Sequence, residues 1–271
     1  MINLPQHTHG SPLFIHTDMM KMLPWLDRRS VEHSLQSFHD IVLNLAQTHA
    51  IWMPTFNYRF SREGIQHVQQ DGSEIGAYSN YFRKNALWTT KTPVFSVSGL
   101  KASDYPTIEE PPTAMDIEAF GMKSIFARLV ESKGYLLWLG ASLKTSITSV
   151  HFSEAAVGGV PYRYDKVFDG IVVDHENQYP VRFRYNVKPT AFRIKYSFEI
   201  RKKAIELGII RPVSESMSTV YYAQAQELHD YFCDILIKTP LGLLDEPSYA
   251  WVNNKLDQLG RPFMASDFEN Q

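Results

Sequence analysis

The sequence predicts an α/β fold, a central mixed β-sheet flanked by helices with an antiparallel section appended in the C-terminal half. Three observations predict it. Short apolar runs alternate with amphipathic helical stretches from about residue 12 to 158, the order that builds a layered sheet-and-helix core. One run, Tyr135-Leu136-Leu137-Trp138-Leu139 closed by Gly140, is apolar at every position, as a strand covered on both faces must be. After residue 160 the apolar period falls to two, the mark of strands with one wet face.

Pro12 to His16 reads as a short buried strand running into a polar turn at Thr17-Asp18. Ser30 is a good N-cap for a helix reaching about Gln47, with Leu35, Phe38, Ile41, Val42 and Leu45 on one face. Ala50 to Met53 is a second apolar strand, stopped by Pro54. Ile75 to Asn85 looks helical, Val94 to Ser98 looks like a strand ended by Gly99, and the proline-rich acidic stretch 101–115 reads as a loop. A helix is expected from Ile117 to Ser132 before the apolar strand at Tyr135. Tyr162 to Asp174 and Tyr179 to Asn186 then alternate like two antiparallel strands joined at residues 175–178, and Glu199 to Leu207 and Ala223 to Lys238 look helical. No linker composition divides the chain, so residues 1–271 are read as one domain: a core of about 12–160, an appended section of about 161–222 and a C-terminal helix of about 223–238.

Composition narrows the function. With 44% hydrophobic and 21% charged residues the chain is an ordinary globular protein, not a disordered one. It has no run long and apolar enough to span a membrane, and its start lacks the basic and apolar regions of a secretory signal, so a cytoplasmic protein is expected. A formal net charge of −2 gives no general attraction to nucleic acid or to anionic membranes, leaving small molecules as the expected partners. The single cysteine, Cys233, excludes an internal disulfide and any multi-cysteine metal site, and its place in a helical pattern suits a packed thiol. Phe (16), Tyr (14) and Trp (5) are abundant, which fits either a core or a cleft that stacks on sugar rings or bases. Trp251 and Tyr249 near the end hint at a homodimer interface.

The most informative run is Thr148-Ser149-Val150-His151-Phe152-Ser153-Glu154. If Thr148 or Ser149 caps a helix, His151 and Glu154 lie one turn apart on one face, with Cβ atoms about 5–6 Å apart. A carboxylate there fixes the imidazole tautomer and makes the histidine a better base. Taken alone, the pattern favours a capped helix end with a surface ion pair.

The surrounding motifs resemble those of the aminoglycoside 3-N-acetyltransferase family over roughly residues 12 to 170. They are, in order, Phe14-Ile15-His16-Thr17-Asp18, Met53-Pro54-Thr55-Phe56, Gly76 to Phe82-Arg83, Pro93 to Gly99 with Ser96 inside, Phe120-Gly121, Leu139-Gly140, Thr148/His151/Glu154 and Pro161-Tyr162-Arg163. The resemblance implies an acyl-CoA cosubstrate (acetyl-CoA or a hydroxyacyl-CoA), no metal, His151 as general base and Glu154 as its orienting carboxylate. It also implies a coenzyme A channel along His16, Thr17, Asp18, Ser96, Val97 and Ser98. Phe56, Tyr58, Tyr78, Thr148, Tyr162 and Arg163 fall on the acceptor side. Asp18 is awkward beside a phosphate unless it caps a helix, and Lys91-Thr92-Pro93 departs from the family by lacking a histidine before the proline.

The acceptor is an amine, and two kinds are open. An aminoglycoside carries several ammonium groups and needs carboxylates around it. Residues 181–203 instead hold eight basic residues against one acidic residue, Glu199, interleaved with aromatics, which favours a nucleotide-linked amino sugar of the kind used to build surface polysaccharide. A solvated basic face explains the same run equally well. The rival classes are a metal-dependent hydrolase using His7, His9, His16 and Glu154, and a carbohydrate- or nucleotide-binding module without catalysis.

Overall fold

The computed structural model describes residues 2, 4–101, 103, 115–214 and 219–269, so most of the stretch read as a proline-rich loop lies outside the described residues. In chain order the elements are β1 (Pro12–Thr17), α1 (Met19–Met22), α2 (Val31–Leu45), β2 (Ala50–Pro54), α3 (Arg59–Glu63), β3 (Ile65–His67), α4 (Ala77–Asn85) and β4 (Trp88–Thr89). There follow β5 (Val97–Gly99), β6 (Met115–Glu118), α5 (Ile125–Glu131), β7 (Tyr135–Leu139), α6 (Val150–Ala156), β8 (Tyr164–Asp174) and β9 (Asn177–Val187). The chain closes with α7 (Phe198–Glu206), β10 (Arg211–Pro212), β11 (Val220–Gln224), α8 (Ala225–Lys238) and α9 (Glu246–Leu259).

Among the described residues there are two mixed sheets. One has seven strands in the order β10-β11-β7-β1-β2-β5-β4, and the other has four in the order β3-β8-β9-β6. At the centre of the first, β1 runs parallel to both β2 and β7, while β11 and β5 pair antiparallel outside them. The expected α/β fold with its central mixed sheet and helical flanks is therefore the observed one. The all-apolar run at β7 explains its position: Tyr135, Leu137 and Leu139 pack on the α2 side with Leu13, Ile15, Phe38 and Val42. Leu136 and Trp138 pack on the other side with Phe14, Phe126 and Phe152. Alternate side chains of a strand point to opposite faces, so a strand buried on both sides has no place for a polar residue.

Local signals set the helix starts. The Ser30 hydroxyl accepts from the His33 N–H at 3.2 Å, capping α2 as its sequence predicts. Ser124 caps α5 in the same way through the Ala127 N–H. The expected helix from Ile117 therefore begins only at Ile125, because residues 115–118 form β6, parallel to β9. The strand expected from Val94 begins at Val97: Val94 has φ 62°, a left-handed backbone that a β-branched residue adopts only under strain and that interrupts a strand.

The antiparallel pair starts later than expected, at Tyr164, its second strand is longer, and it turns at His175-Glu176, where His175 takes φ 53°. The stretch 161–222 does not stand apart from the core. Its β11 joins β7 in the central sheet, while β3 and β6 from the first half complete the second sheet. A further helix, α9, follows the expected C-terminal one, capped by Asp245 and ended by Gly260 at φ 65°. Trp251 on α9 stacks on Phe192, with ring centroids 4.8 Å apart, so its aromatic face is used within the chain.

Candidate active site

Helix α6 starts eleven residues after the end of β7 and carries His151 and Glu154 on one face. Ser149 is its N-cap residue by position, but its buried hydroxyl makes no capping bond. The Glu154 side chain is 2% exposed and that of His151 is 17% exposed, so the carboxylate is sealed while the imidazole edge reaches a cleft. His151 Nδ1 lies 2.9 Å from Glu154 Oε2. The tautomer with its proton on Nδ1 donates to Glu154, although the donor-only guanidinium of Arg163 also approaches Nδ1. In that tautomer the lone pair on Nε2 is the one that takes a proton, with Arg163 Nη2 3.5 Å away.

Four side chains fix the carboxylate. Tyr162 Oη and Tyr196 Oη each donate to Oε1 at 2.7 Å. Arg163 Nε sits 2.8 Å from Oε2 as a charge contact, and His151 takes the same oxygen. Arg163 in turn donates to the Asn186 carbonyl at 2.6 Å and to Tyr196 Oη at 2.9 Å. A second Arg163 nitrogen, Nη2, lies 2.9 Å from His151 Nδ1, so its charge opposes a second proton on the ring. Burial first, and then Arg163, push the His151 pKa down to about 4 against the pull of Glu154. The imidazole is therefore neutral at pH 7. Burial opposes ionisation of Glu154, but Arg163 and the hydrogen bonds outweigh it and hold the carboxyl at about 2. Glu154 in turn holds the buried Arg163 guanidinium above its ordinary value.

His151 opens on a cleft of about 450 Å³ whose walls include Arg163, Lys166, Tyr185, Lys188 and Glu269. Strands β8 and β9 line it with alternate residues. The intervening residues, Asp165, Arg184 and Asn186, line a second cleft of about 390 Å³ together with Glu118 and Phe120. Phe120 packs edge-on against His151 with ring centroids 5.1 Å apart, so one aromatic side chain joins the second cleft to His151.

Of the residues expected from sequence, His151, Glu154, Tyr162 and Arg163 meet directly. Thr148 is half-buried and its carbonyl accepts from the His151 N–H. Tyr58 lies close enough to Tyr185 to feel its charge, and Phe56 packs on Phe95 in the same core. Tyr78 does not join them: it is buried on the α2 face, where its hydroxyl bonds His39.

Ser96 and Ser98 are fully buried and spend their hydroxyls on Thr55, Arg83 and Thr89, with Val97 buried between them. Thr17 is half-buried at the end of β1. Asp18 caps α1 by accepting from the Met20 N–H, so its own carboxylate fills the place expected for a phosphate. His16 is buried beside Trp138, with Nε2 lacking any partner. Lys91, at the departure before Pro93, pairs with Asp174 at 3.0 Å.

Sequence reasoning missed that Tyr196 bonds Glu154 from 42 residues away, since no local pattern announces it. The basic run 181–203 disperses. Arg182, Arg184, Lys202 and Lys203 pair with Asp169, Glu118, Glu199 and Glu206 on the surface, and Arg201 is buried. Lys188 is the member of the run that reaches the His151 cleft. Cys233 lies half-buried against His229 and Ser153, and burial pushes its thiol up, away from nucleophilic use. The described residues hold no cluster of three or more His, Cys, Asp or Glu placed to bind a metal, and no described helix is long and apolar enough to cross a membrane.

Residues 37–235 match the family model described as aminoglycoside 3-N-acetyltransferase. No curated protein sequence matches the chain. Among solved structures it is similar to AAC-IIIb in a binary complex with CoASH, at 16% identity over 85% of this chain and 91% of that one, with a TM-score of 0.64. It is similar to the aminoglycoside acetyltransferase AAC(3)-Xa at 16% identity over 87% and 88% of the two chains, with a TM-score of 0.64. The YokD protein from Bacillus subtilis matches at 14% identity over 85% and 88%, with a TM-score of 0.62. The match of the family model over most of its length makes the chain a member of the aminoglycoside 3-N-acetyltransferase family of N-acyltransferase enzymes.

Proposed function

We propose that the protein moves an acyl group from an acyl-CoA thioester to the amine of an aminoglycoside-type amino sugar, with His151 as general base. The observation that carries this reading is a neutral imidazole whose Nδ1 lies 2.9 Å from Glu154, on the wall of a cleft large enough for a sugar. The amine nitrogen attacks the thioester carbon while His151 Nε2 takes its proton. Backbone N–H groups stabilise the tetrahedral oxyanion. Collapse breaks the carbon–sulfur bond, and the departing sulfur takes the proton back from the imidazolium, leaving an amide and free thiol. Glu154 lowers the cost of the transient imidazolium, and Tyr162, Tyr196 and Arg163 keep it oriented.

The donor reading draws support from the CoASH complex of the similar AAC-IIIb and from the carboxyl edge of β1 and β7, where His16 Nε2 is buried without a partner. Open parallel sheets bind their ligands at such an edge, where neighbouring crossovers leave in opposite directions. The acyl group is acetyl or a hydroxyacyl chain. A nucleotide-linked amino sugar is the second reading for the acceptor, favoured by Lys166, Lys188 and Tyr185 on the walls of the cleft.

The test is thiol release from acetyl-CoA and a hydroxyacyl-CoA with panels of aminoglycosides and amino-sugar nucleotides. His151→Ala is expected to lower the rate by roughly two to four orders of magnitude with an unchanged fold. A near-normal rate in that variant would remove His151 from the role. Release with amino-sugar nucleotides alone would favour the second reading.

A further inference from the structure

The two clefts beside α6 differ in charge although one ribbon lines both. The face of β8–β9 turned toward Glu118 presents Asp165 and Arg184, a balanced set. The face turned toward His151 presents Lys166, with Arg163 just before β8 and Lys188 just after β9, against Glu269. Glu269 is already committed, pairing with Lys166 at 2.9 Å and accepting from Tyr164 Oη at 3.0 Å. Arg163 is answered by Glu154. Lys188 has no carboxylate within ion-pair distance among the described residues. Its ammonium donates to the Ile194 carbonyl at 3.3 Å and lies 3.8 Å from the centre of the Tyr196 ring. On that same tyrosine sits Arg201, 2% exposed, with its Nε unpartnered. Three cations thus surround Tyr196, and two of them, Arg163 and Lys188, share Glu154. Asp245, the other carboxylate acting on Lys188, is occupied in capping α9.

Burying an unanswered ammonium costs stability. Burial first, with Arg163 adding to it, depresses the Lys188 pKa to about 7, which is the protein's response to that cost. A chain whose cleft needed only to bind a polycation would do better with a carboxylate there.

We infer that Lys188 is a specificity residue that receives an anionic group, a phosphate or carboxylate, carried by the amine-bearing acceptor in the His151 cleft. The inference deepens the second of the two acceptor readings above, an amino sugar that carries an anionic group. The assignment to the acceptor rests on His151 being the base that touches the amine; the anion seat itself does not.

The test compares wild type with Lys188→Ala, Lys188→Glu and Lys188→Arg. Acetyl-CoA is the donor and glucosamine, glucosamine 6-phosphate and kanamycin are the acceptors. Wild type should favour the phosphorylated sugar over glucosamine. The ratio of their kcat/KM values should fall about tenfold or more in Lys188→Ala, invert in Lys188→Glu and recover in Lys188→Arg. An equal ratio in wild type and Lys188→Ala, or a preference of wild type for kanamycin, overturns the inference.

A calorimetric titration with inorganic pyrophosphate reads the seat without catalysis, and binding should weaken about tenfold or more in Lys188→Ala. Pyrophosphate binding that depends on Lys188 with no thioester consumed by any acceptor would support the seat and sink the acyl-transfer reading. Displacement of that pyrophosphate by free coenzyme A would assign the anion to the donor and overturn the acceptor assignment. Binding indifferent to Lys188 overturns the seat itself.

Discussion

The two sheets of this protein divide its work. In the central sheet, β7 is buried at every position, and Trp138, Leu136 and Leu137 have no exposed surface. In the second sheet, β8 and β9 alternate exposed residues with buried or half-buried ones, and the exposed ones include Asp165, Asp169, Arg182 and Arg184. One sheet is thus insulated from solvent on both faces and serves as scaffold. The other leaves a face wet with Asp165, Asp169, Arg182 and Arg184, while its inner face packs Phe183 into the core and, nearer Arg163, offers Lys166 and Tyr185 to the His151 cleft. Scaffold and cleft lining are thereby placed on different strands, and His151, the proposed base, sits on the short helix α6.

The largest expected contrast is energetic. Trp138→Ala should destabilise the protein by about 3–5 kcal/mol in denaturant unfolding, through lost burial and the cavity left between β7 and α6. Arg182→Ala, on the wet face with a 3.8 Å ion pair to Asp169, should change stability by no more than about 0.5 kcal/mol. A loss at Arg182 comparable with that at Trp138 would erase the division between the sheets.

Acid should separate the two regions next. His16, at the edge of the central sheet, and His151, in the cleft, both have native pKa values lowered by burial to about 4 from an ordinary 6.5. Below pH 6.5 the unfolded chain takes up these protons first. The contribution to stability is therefore complete above pH 6.5 and is lost as the pH falls toward 4, at roughly 3 kcal/mol per histidine. Glu154, lowered to about 2, adds a further loss between pH 4.5 and 2. Urea unfolding at pH 7 and pH 4.5 reads the first window. His16→Gln and His151→Asn should each flatten the pH dependence. Unchanged stability between the two pH values in wild type would contradict the burial assigned to both rings.

The smallest predicted effect concerns the bridge between the sheets' products. Tyr196→Phe removes the hydroxyl that donates to Glu154 and accepts from Arg163, and should cost about 1–2 kcal/mol of stability. Its thiol-release rate should fall about tenfold, far less than in His151→Ala, because the base and its carboxylate remain. A loss as large as that of His151→Ala would make Tyr196 a participant in the chemistry and not a positioning residue.

Legibility in the sequence followed the range of the interaction. Ser30 announced α2, and the His151-x-x-Glu154 spacing announced a pair that does meet on one helix face. Asp245 and Pro247 carried the same kind of signal for α9, and it went unread. Helix periodicity across Ile117 to Ser132 misled, because β6 takes its first residues to pair with β9, whose distance along the chain no periodic pattern contains. The basic run between Val181 and Lys203 looked like one surface. Strand alternation, the loop after β9 and helix α7 send its members to different faces, and Lys188 alone reaches the base.

By itself the sequence determined the elements whose partners are close in the chain, the capped helices, the all-apolar β7 and the dyad spacing on α6, because caps and periodicities are satisfied within a few residues. The tertiary structure decided which strands share a sheet, that Tyr78 faces away from the site, and that Tyr196, Arg163 and Lys188 converge on Glu154 and the cleft. Those choices depend on strand register and on packing between distant segments. A shift of one residue in β9 would turn Arg184 and Asn186 toward the His151 cleft and Tyr185 and Val187 away from it.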